Sequence, residues 1–209
     1  MKDLFYKTLF IEEHPQNVLF WSDTHFGHSS EHWPVPLWKM RGFSSIQHHD
    51  QELVNRWNAK ATNDSLFFHL GDFIFGNSAS ERLMSILREV SFKRLFVMPG
   101  NHFSGWKQLF EDQQDNVLNL TENKQVVFIP NYLEVSIKSE IKLVLSHYPL
   151  ASFNKQNRGA IHCHGHCHGK LYESEIGKKL YTNNIIDVSI EKCEYPITAV
   201  ELTNYNYHG

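Results

Sequence analysis

Short, largely apolar runs separated by amphipathic stretches organise the first half of this chain. Val18 to Trp21, Leu66 to Leu70 and Arg94 to Met98 have the length and composition of strands. Between them, Ser45 to Ala59 and Ser78 to Val90 carry the helical period. In the second stretch Ser78 and Glu81 form a capping-box signature, and Leu83, Ile86, Leu87 and Val90 share one face. After Asp115 the pattern becomes strand-rich, with runs at Gln125 to Ile129, Tyr132 to Ile137, Lys142 to Ser146, Ile185 to Ile190 and Thr198 to Leu202. Helices and strands early, then strands, predict an α/β molecule of two packed sheets flanked by helices. No repeat, low-complexity tract or linker divides the 209 residues, and 41% apolar content suffices for one sizeable core, so one domain over residues 1–209 is expected.

The residues just past these strands carry the chemistry. Asp23 follows Val18 to Trp21, Asp72 follows Leu66 to Leu70, Asn101 follows Leu95 to Met98, and His147 follows Leu143 to Leu145. Candidate ligands at the carboxyl ends of strands are where α/β folds build their sites. Two further pairs, Asp23 with His25 and His166 with His168, are spaced i and i+2. In extended chain such side chains point the same way, so each pair is expected to act as a two-pronged clamp. Carboxylate, imidazole and the Asn101 amide oxygen can all bind a divalent metal, and together these residues can fill two sites.

The blocks DTHFGH (Asp23 to His28), GDF (Gly71 to Phe73), GNH (Gly100 to His102), SHYP (Ser146 to Pro149) and HGHCHG (His164 to Gly169) resemble, in that order, those of the calcineurin-like metallophosphoesterases. The resemblance is to the small bacterial and phage members without a cap domain. It runs from about Val18 to Leu202, with YPITAVEL (Tyr195 to Leu202) read as a closing strand. It implies a layered sandwich of two mixed β-sheets flanked by helices, with the metals at one end. It also implies one metal on Asp23, His25, Asp72 and His168. A second would lie on Asp72 as bridge with Asn101, His147 and His166. His102 would sit beside the scissile phosphate, protonating the leaving oxygen or stabilising the transition state. Two divalent ions bring four positive charges against the two negative charges of Asp23 and Asp72, a surplus that suits an anionic phosphoester. Many relatives carry an acid directly after the GNH block, where this chain has Phe103, so an orienting partner for His102 must come from elsewhere, with Asp50, Asp64 or a main-chain carbonyl as candidates.

The activity implied is a metal-dependent phosphohydrolase, cleaving phosphodiesters in preference to phosphomonoesters, with a small nucleotide-type substrate. Manganese is the expected metal, and the mixed N and O donors also admit iron, zinc, nickel or cobalt. Net charge is −3 with histidines neutral, which disfavours a long nucleic-acid partner, although a nuclease of the same chemistry is the main alternative. A non-catalytic binding module on this scaffold would show damaged ligand positions, and none is seen. The segment Ser29 to Phe43, with Trp33, Trp38, Phe43 and Arg41, is expected to overhang the site. Its aromatics can stack a base or simply plug the core, and Arg41 can hold a phosphate oxygen. His28, Arg158 and His164 are further phosphate-contact candidates. His28 serves equally as an orienting group and Arg158 as a solvated charge.

Of the fourteen histidines, His14, His32, His48, His49, His69 and His208 read as surface or core residues. The dense run His162 to His168 lacks the second ligand pair that a structural zinc knuckle needs, and Cys163 and Cys167 are expected to face away from the metals. Three cysteines make no disulfide framework, and the start of the chain shows neither a signal peptide nor a span-length apolar run. A reducing cytoplasm is the expected location, with no membrane association and with a homodimer as a possible assembly.

Overall fold

The structure, a computed structural model, describes residues 8–29, 34–76, 79–103, 111, 116–180 and 184–205. The first half alternates. It runs β1 (Leu9–Ile11), β2 (Val18–Trp21), α1 (Leu37–Met40), α2 (Ile46–Lys60), β3 (Leu66–His69), α3 (Ala79–Glu89) and β4 (Arg94–Val97). Strands then succeed one another as β5 (Val117–Thr121), β6 (Lys124–Phe128), β7 (Tyr132–Ile137), β8 (Ile141–Ser146) and β9 (Ile161–His164). The described chain closes with α4 (Glu175–Leu180), β10 (Ile185–Asp187), β11 (Ile197–Thr198) and α5 (Ala199–Thr203). The strands form two mixed sheets, ordered β11-β2-β3-β4-β6-β5 and β1-β7-β8-β9-β10. This is the expected two-sheet α/β sandwich.

β2, β3 and β4 are parallel neighbours and read as nearly unbroken apolar runs because both of their faces are covered. On one face, Trp57 of α2 lies flat on Phe67, with ring centroids 3.6 Å apart and an interplanar angle of 6°, and its indole N–H donates to the Ser91 carbonyl. On the other, the register partners Phe20, Phe68 and Phe96 stack across three strands at 5.3 and 4.4 Å. α2 begins where Ser45, in extended conformation, accepts from the His48 N–H. It buries His49, Leu53, Val54 and Trp57 against the sheet. One apolar cluster draws residues from both sheets.

Three expectations change. The closing strand is only Ile197–Thr198, and the chain then turns into α5. Thr198 accepts from the Glu201 N–H while the Glu201 carboxylate takes the Thr198 N–H, a full capping box that overrides the β-branched run. Ile185 to Ile190 stops being strand at Asp187, whose carboxylate accepts N–H groups from Gly169 and Ser189 and turns the chain, leaving Ser189 an isolated bridge to Ser22. β1, β5 and β9 form where the hydrophobic pattern predicts no strand. β9 is buried throughout although its sequence, IHCH, is largely polar or sulfur-bearing. The Ser78 cap of α3 lies outside the described residues. Among the described residues no helix is long and apolar enough to cross a membrane.

Candidate metal centre

Five strand ends deliver the candidate ligands. Asp23 and His25 follow β2, Asp72 follows β3, Asn101 follows β4, His147 follows β8, and His166 and His168 follow β9. The first two loops are zipped together by N–H donation from Asp23 to Gly71 O, His25 to Asp72 O and Phe26 to Phe73 O. The β9 loop is tied to them because both Asp23 carboxylate oxygens accept the His166 N–H, at 3.1 and 3.0 Å.

Asp23 and His25 come together in one group, but not by strand alternation, and His166 and His168 turn to different neighbours, Asn101 and Asp23. Asp23, His25, Asp72, His166 and His168 all have positive φ, from 48° to 70°, so each ligand pair lies on left-handed backbone just past its strand. An L-residue there costs on the order of 1–2 kcal/mol, and five such residues clustered at one site are backbone strain held by surrounding contacts. Gly100, at φ +73°, completes the turn before Asn101, and a Cβ on it would stand 2.3 Å from Asp72 Oδ1.

Asp23, His25 and His168 bring one ligand atom each within 4.8 Å of one another. His25 is buried, and neither of its ring nitrogens has a hydrogen-bond partner. Its Nε2 faces Asp72 Oδ2 at 3.6 Å and Asp23 Oδ1 at 4.0 Å. His168 donates from Nδ1 to Glu191 Oε1 at 2.7 Å, which leaves Nε2 as the lone-pair nitrogen, 3.6 Å from Asp23 Oδ1. Asp23, Asp72 and His147 make a second group of the same size. The Leu70 carbonyl accepts from His147 Nδ1, so Nε2 presents its lone pair to Asp72 Oδ2 at 3.5 Å and Asn101 Oδ1 at 2.9 Å. His166 Nδ1 reaches the same amide oxygen at 2.9 Å. One oxygen, Asp72 Oδ2, therefore stands between an imidazole of each group.

This convergence of lone pairs, with His25 buried and unpartnered, suits a divalent cation. Burial pushes the Asp23 carboxyl up to about 6, against the pull of His147 and His168. Asp72 is also penalised by burial, but the hydrogen bond and charge that His147 offers when protonated, with the charge of His25, hold it well below the usual carboxylate range. Metal must displace the Asp23 proton below pH 6, so binding weakens as pH falls. From Asp23 alone the expected loss between pH 7 and pH 5 is about tenfold, with protons released on binding at pH 5. Protonated ligand histidines act in the same direction. Calorimetry in two buffers of different ionisation heat reads both effects, and a pH-independent affinity would refute the assignment.

The sequence matches the calcineurin-like phosphoesterase family over residues 16–170, which takes in every candidate ligand. This chain is a calcineurin-like phosphoesterase. It is 24% identical over 183 residues to an uncharacterized protein of Methanocaldococcus jannaschii, covering 87% of this chain and 85% of that one. A crystal structure of a protein of unknown function from Aquifex aeolicus shares the fold, with a TM-score of 0.61 at 20% identity over 90% of this chain and 97% of that one. The family hydrolyses phosphoesters with divalent metals, and the Asp and His groups above can supply the ligands.

A cavity of about 290 Å³ opens beside the first ligand group of the phosphoesterase. It is lined by His25, His28, His102 and His168, by Leu37, Met40 and Arg41, and by Lys170 and Glu191. His102 donates its backbone N–H to Asp72 Oδ1 at 2.9 Å, and its ring packs edge-on against His25 at 5.5 Å and Phe75 at 5.1 Å. Neither proposed carboxylate orients it. Asp50 accepts from Gly27 N, Arg82 and His49, and Asp64 lies in the turn leading into β3, at the opposite end of that strand from Asp72. Phe103 packs on Phe128 instead. His28 is buried against Phe75 at 4.2 Å, with its Nδ1 unpartnered.

Arg41 lines the cavity but directs its guanidinium into the protein. Nε and Nη2 donate to Glu191 Oε1 at 2.9 and 2.7 Å, Nη2 to Asp23 O at 2.7 Å, and Nη1 to Thr24 O and His49 Nε2 at 3.1 and 3.0 Å. These contacts occupy all five N–H donors, so the residue braces the Asp23 loop. His164 is fully buried at the end of β9, with its ring on Gly165 O, and burial lowers its pKa to about 4. Arg158 is exposed in the loop between β8 and β9, and neither residue lines the cavity. Leu37 and Met40 form the overhang, while Phe43 packs on His48 and His49, and Trp33 lies outside the described residues.

Glu191 is a site residue that no sequence pattern marks. It sits in the turn after β10 with no motif around it. Burial raises its pKa, but the His168 hydrogen bond and the Arg41 charge outweigh that and bring it down to about 2.

Proposed function

We propose that this phosphoesterase cleaves a small, nucleotide-type phosphoester with two divalent metals, taking phosphodiesters in preference to phosphomonoesters. The observation that carries the reading is the meeting of the Asp23, His25, Asp72, His147 and His168 candidate ligands, with Asn101 in contact with His147 and His166, at five strand ends beside a cavity that His102 also lines. One metal is assigned to Asp23, His25, Asp72 and His168, and the other to Asp72, Asn101, His147 and His166. When bound, two such metals polarise the phosphoryl oxygens and lower the pKa of a shared water. Asp72 holds the His102 backbone through Oδ1 while Oδ2 faces both ligand groups. His102, which lines the cavity, is assigned to hand a proton to the leaving oxygen, a role that a diester's poor alkoxide leaving group requires. His28 flanks the same wall as a phosphate contact or orienting group.

The diester preference is supported by likeness to small uncapped family members, and the small substrate by the cavity's size and the net charge of −3. Manganese is the working metal, with iron, zinc, nickel and cobalt admitted by the donors. The free thiols of Cys163, Cys167 and Cys193 support a reducing cytoplasm.

The test is hydrolysis by metal-stripped protein reloaded with manganese, against matched phosphodiesters and phosphomonoesters. His102→Ala is expected to lower turnover about 10²- to 10⁴-fold with metal content unchanged. A matching loss of metal would remove His102 from the acid role, and a uniform failure across both panels with two metals bound would overturn the substrate class.

A further inference from the structure

Two cationic side chains line the cavity beside the metal ligands, and they differ in availability. The Arg41 guanidinium is occupied on all five donors by Glu191, Asp23, Thr24 and His49. Glu191 in turn is neutralised by Arg41 and by the proton on His168 Nδ1. Lys170 is the other cation, and no described residue pairs its ammonium. Nearby Lys192 is drawn aside onto the Tyr172 ring at 4.8 Å.

Lys170 is also held in place by its backbone. It follows the ligand His168 by two residues, through Gly169 at φ +74°, whose N–H donates to the buried Asp187 carboxylate at 3.0 Å. Its own N–H donates to Cys167 O at 2.9 Å, and it opens the 3-10 turn Lys170–Glu173. The Lys170 backbone thus belongs to the same hydrogen-bonded loop as the candidate ligand His168, and its side chain extends from there. The facing wall is Leu37 and Met40, the latter 53% exposed, which presents apolar surface to whatever fills the space between. None of Asn101, His147 and His166 lines the cavity, so a bound molecule extends over the His25 and His168 side.

We propose that Lys170 forms a subsite for a second anionic group, so that the substrate class is a phosphoester carrying a further phosphate or carboxylate beyond the scissile phosphate. Its uncharged body would lie against Leu37 and Met40. This rests on the phosphoesterase reading of the same site. A doubly anionic substrate would set its scissile phosphate on the metals and its second anionic group on Lys170, which lines the same cavity. One charge-assisted contact at this exposed rim corresponds to about tenfold in affinity.

The test compares thymidine 5′-(p-nitrophenyl phosphate) with its 3′-phosphorylated counterpart, which share the scissile ester and the leaving group. A p-nitrophenyl phosphodiester of 2-hydroxyacetate is the carboxylate arm. Manganese-loaded wild type is expected to favour the doubly anionic compounds. Lys170→Ala should raise their KM about tenfold while keeping kcat and leaving the singly charged ester unchanged, and Lys170→Arg should restore the preference. An equal effect on both kinds of substrate, or no preference in wild type, overturns the subsite. In parallel, calorimetry measures binding of thymidine 3′,5′-bisphosphate and thymidine 5′-monophosphate to both proteins. Lys170-dependent preference for the bisphosphate without any turnover would sink the hydrolase reading and keep the subsite, whereas Lys170-independent binding would sink the subsite itself.

Discussion

Asp72→Asn is expected to lower phosphoester hydrolysis by roughly a thousandfold or more and to reduce bound metal from two ions to one or none. Asp72 Oδ2 is 3.6 Å from His25 Nε2 and 3.5 Å from His147 Nε2, so one oxygen serves both ligand groups. It is also one of only two carboxylates proposed to balance four positive charges. In the amide, either the oxygen or the NH₂ must replace that Oδ2, and an NH₂ there would turn donor hydrogens toward the cations. The fold should survive, because Asn tolerates the φ of 53° at this position better than other side chains and can still accept the His102 N–H. Metal content by atomic emission, thermal unfolding and turnover on the same preparation decide the matter. A variant that keeps both metals and near wild-type activity would show that Asp72 does not bridge.

The second large effect lies one contact away from the centre. Glu191→Gln is expected to weaken one of two metal-binding steps by about 10- to 100-fold and to leave the other unchanged. His168 gives its Nδ1–H to Glu191 Oε1, which fixes the tautomer that aims Nε2 at the metal side. The same oxygen takes Arg41, Arg41 donates to His49, and His49 Nδ1 donates to Asp50, which also receives Arg82 and the Gly27 N–H. This chain of contacts braces only the Asp23, His25 and His168 side, whereas His147 is oriented by the Leu70 carbonyl. Asp50→Asn should therefore shift the same step by a smaller factor. A metal titration resolving two steps reads both variants, and equal movement of the two steps would reject selective bracing.

The sequence marked Asp23, Asp72, Asn101 and His147 as candidate ligands because each comes after a run whose burial depends on local apolar pattern, whereas His166 and His168 follow β9, which that pattern does not mark. β2, β3, β4 and β8 all appear where the hydrophobic residues place them. What it did not carry is longer in range. The clamp geometry comes from left-handed backbone at Asp23, His25, His166 and His168, which side-chain period does not report. The capping box at Thr198 and Glu201 is written in the chain and wins over the β-branched residues around it, whose pattern alone reads as strand. Arg41 looked like a phosphate contact because its partner Glu191 is 150 residues away, and no local pattern pairs them.

The centre also has a mechanical consequence. Asp23, His25, Asp72 and Asn101 hang from the six-stranded sheet, and His147, His166 and His168 hang from the five-stranded one. Metals held by the proposed ligands would rivet the sandwich across its seam, and a slight shear of one sheet over the other would change every ligand distance at once. Damage in the inter-sheet core, far from any chemistry, should register as lost metal before it registers as lost structure. Asp23 and His166 lie 143 residues apart, so neither sheet alone can assemble the centre. Its occupancy would therefore gauge how truly the two halves have docked.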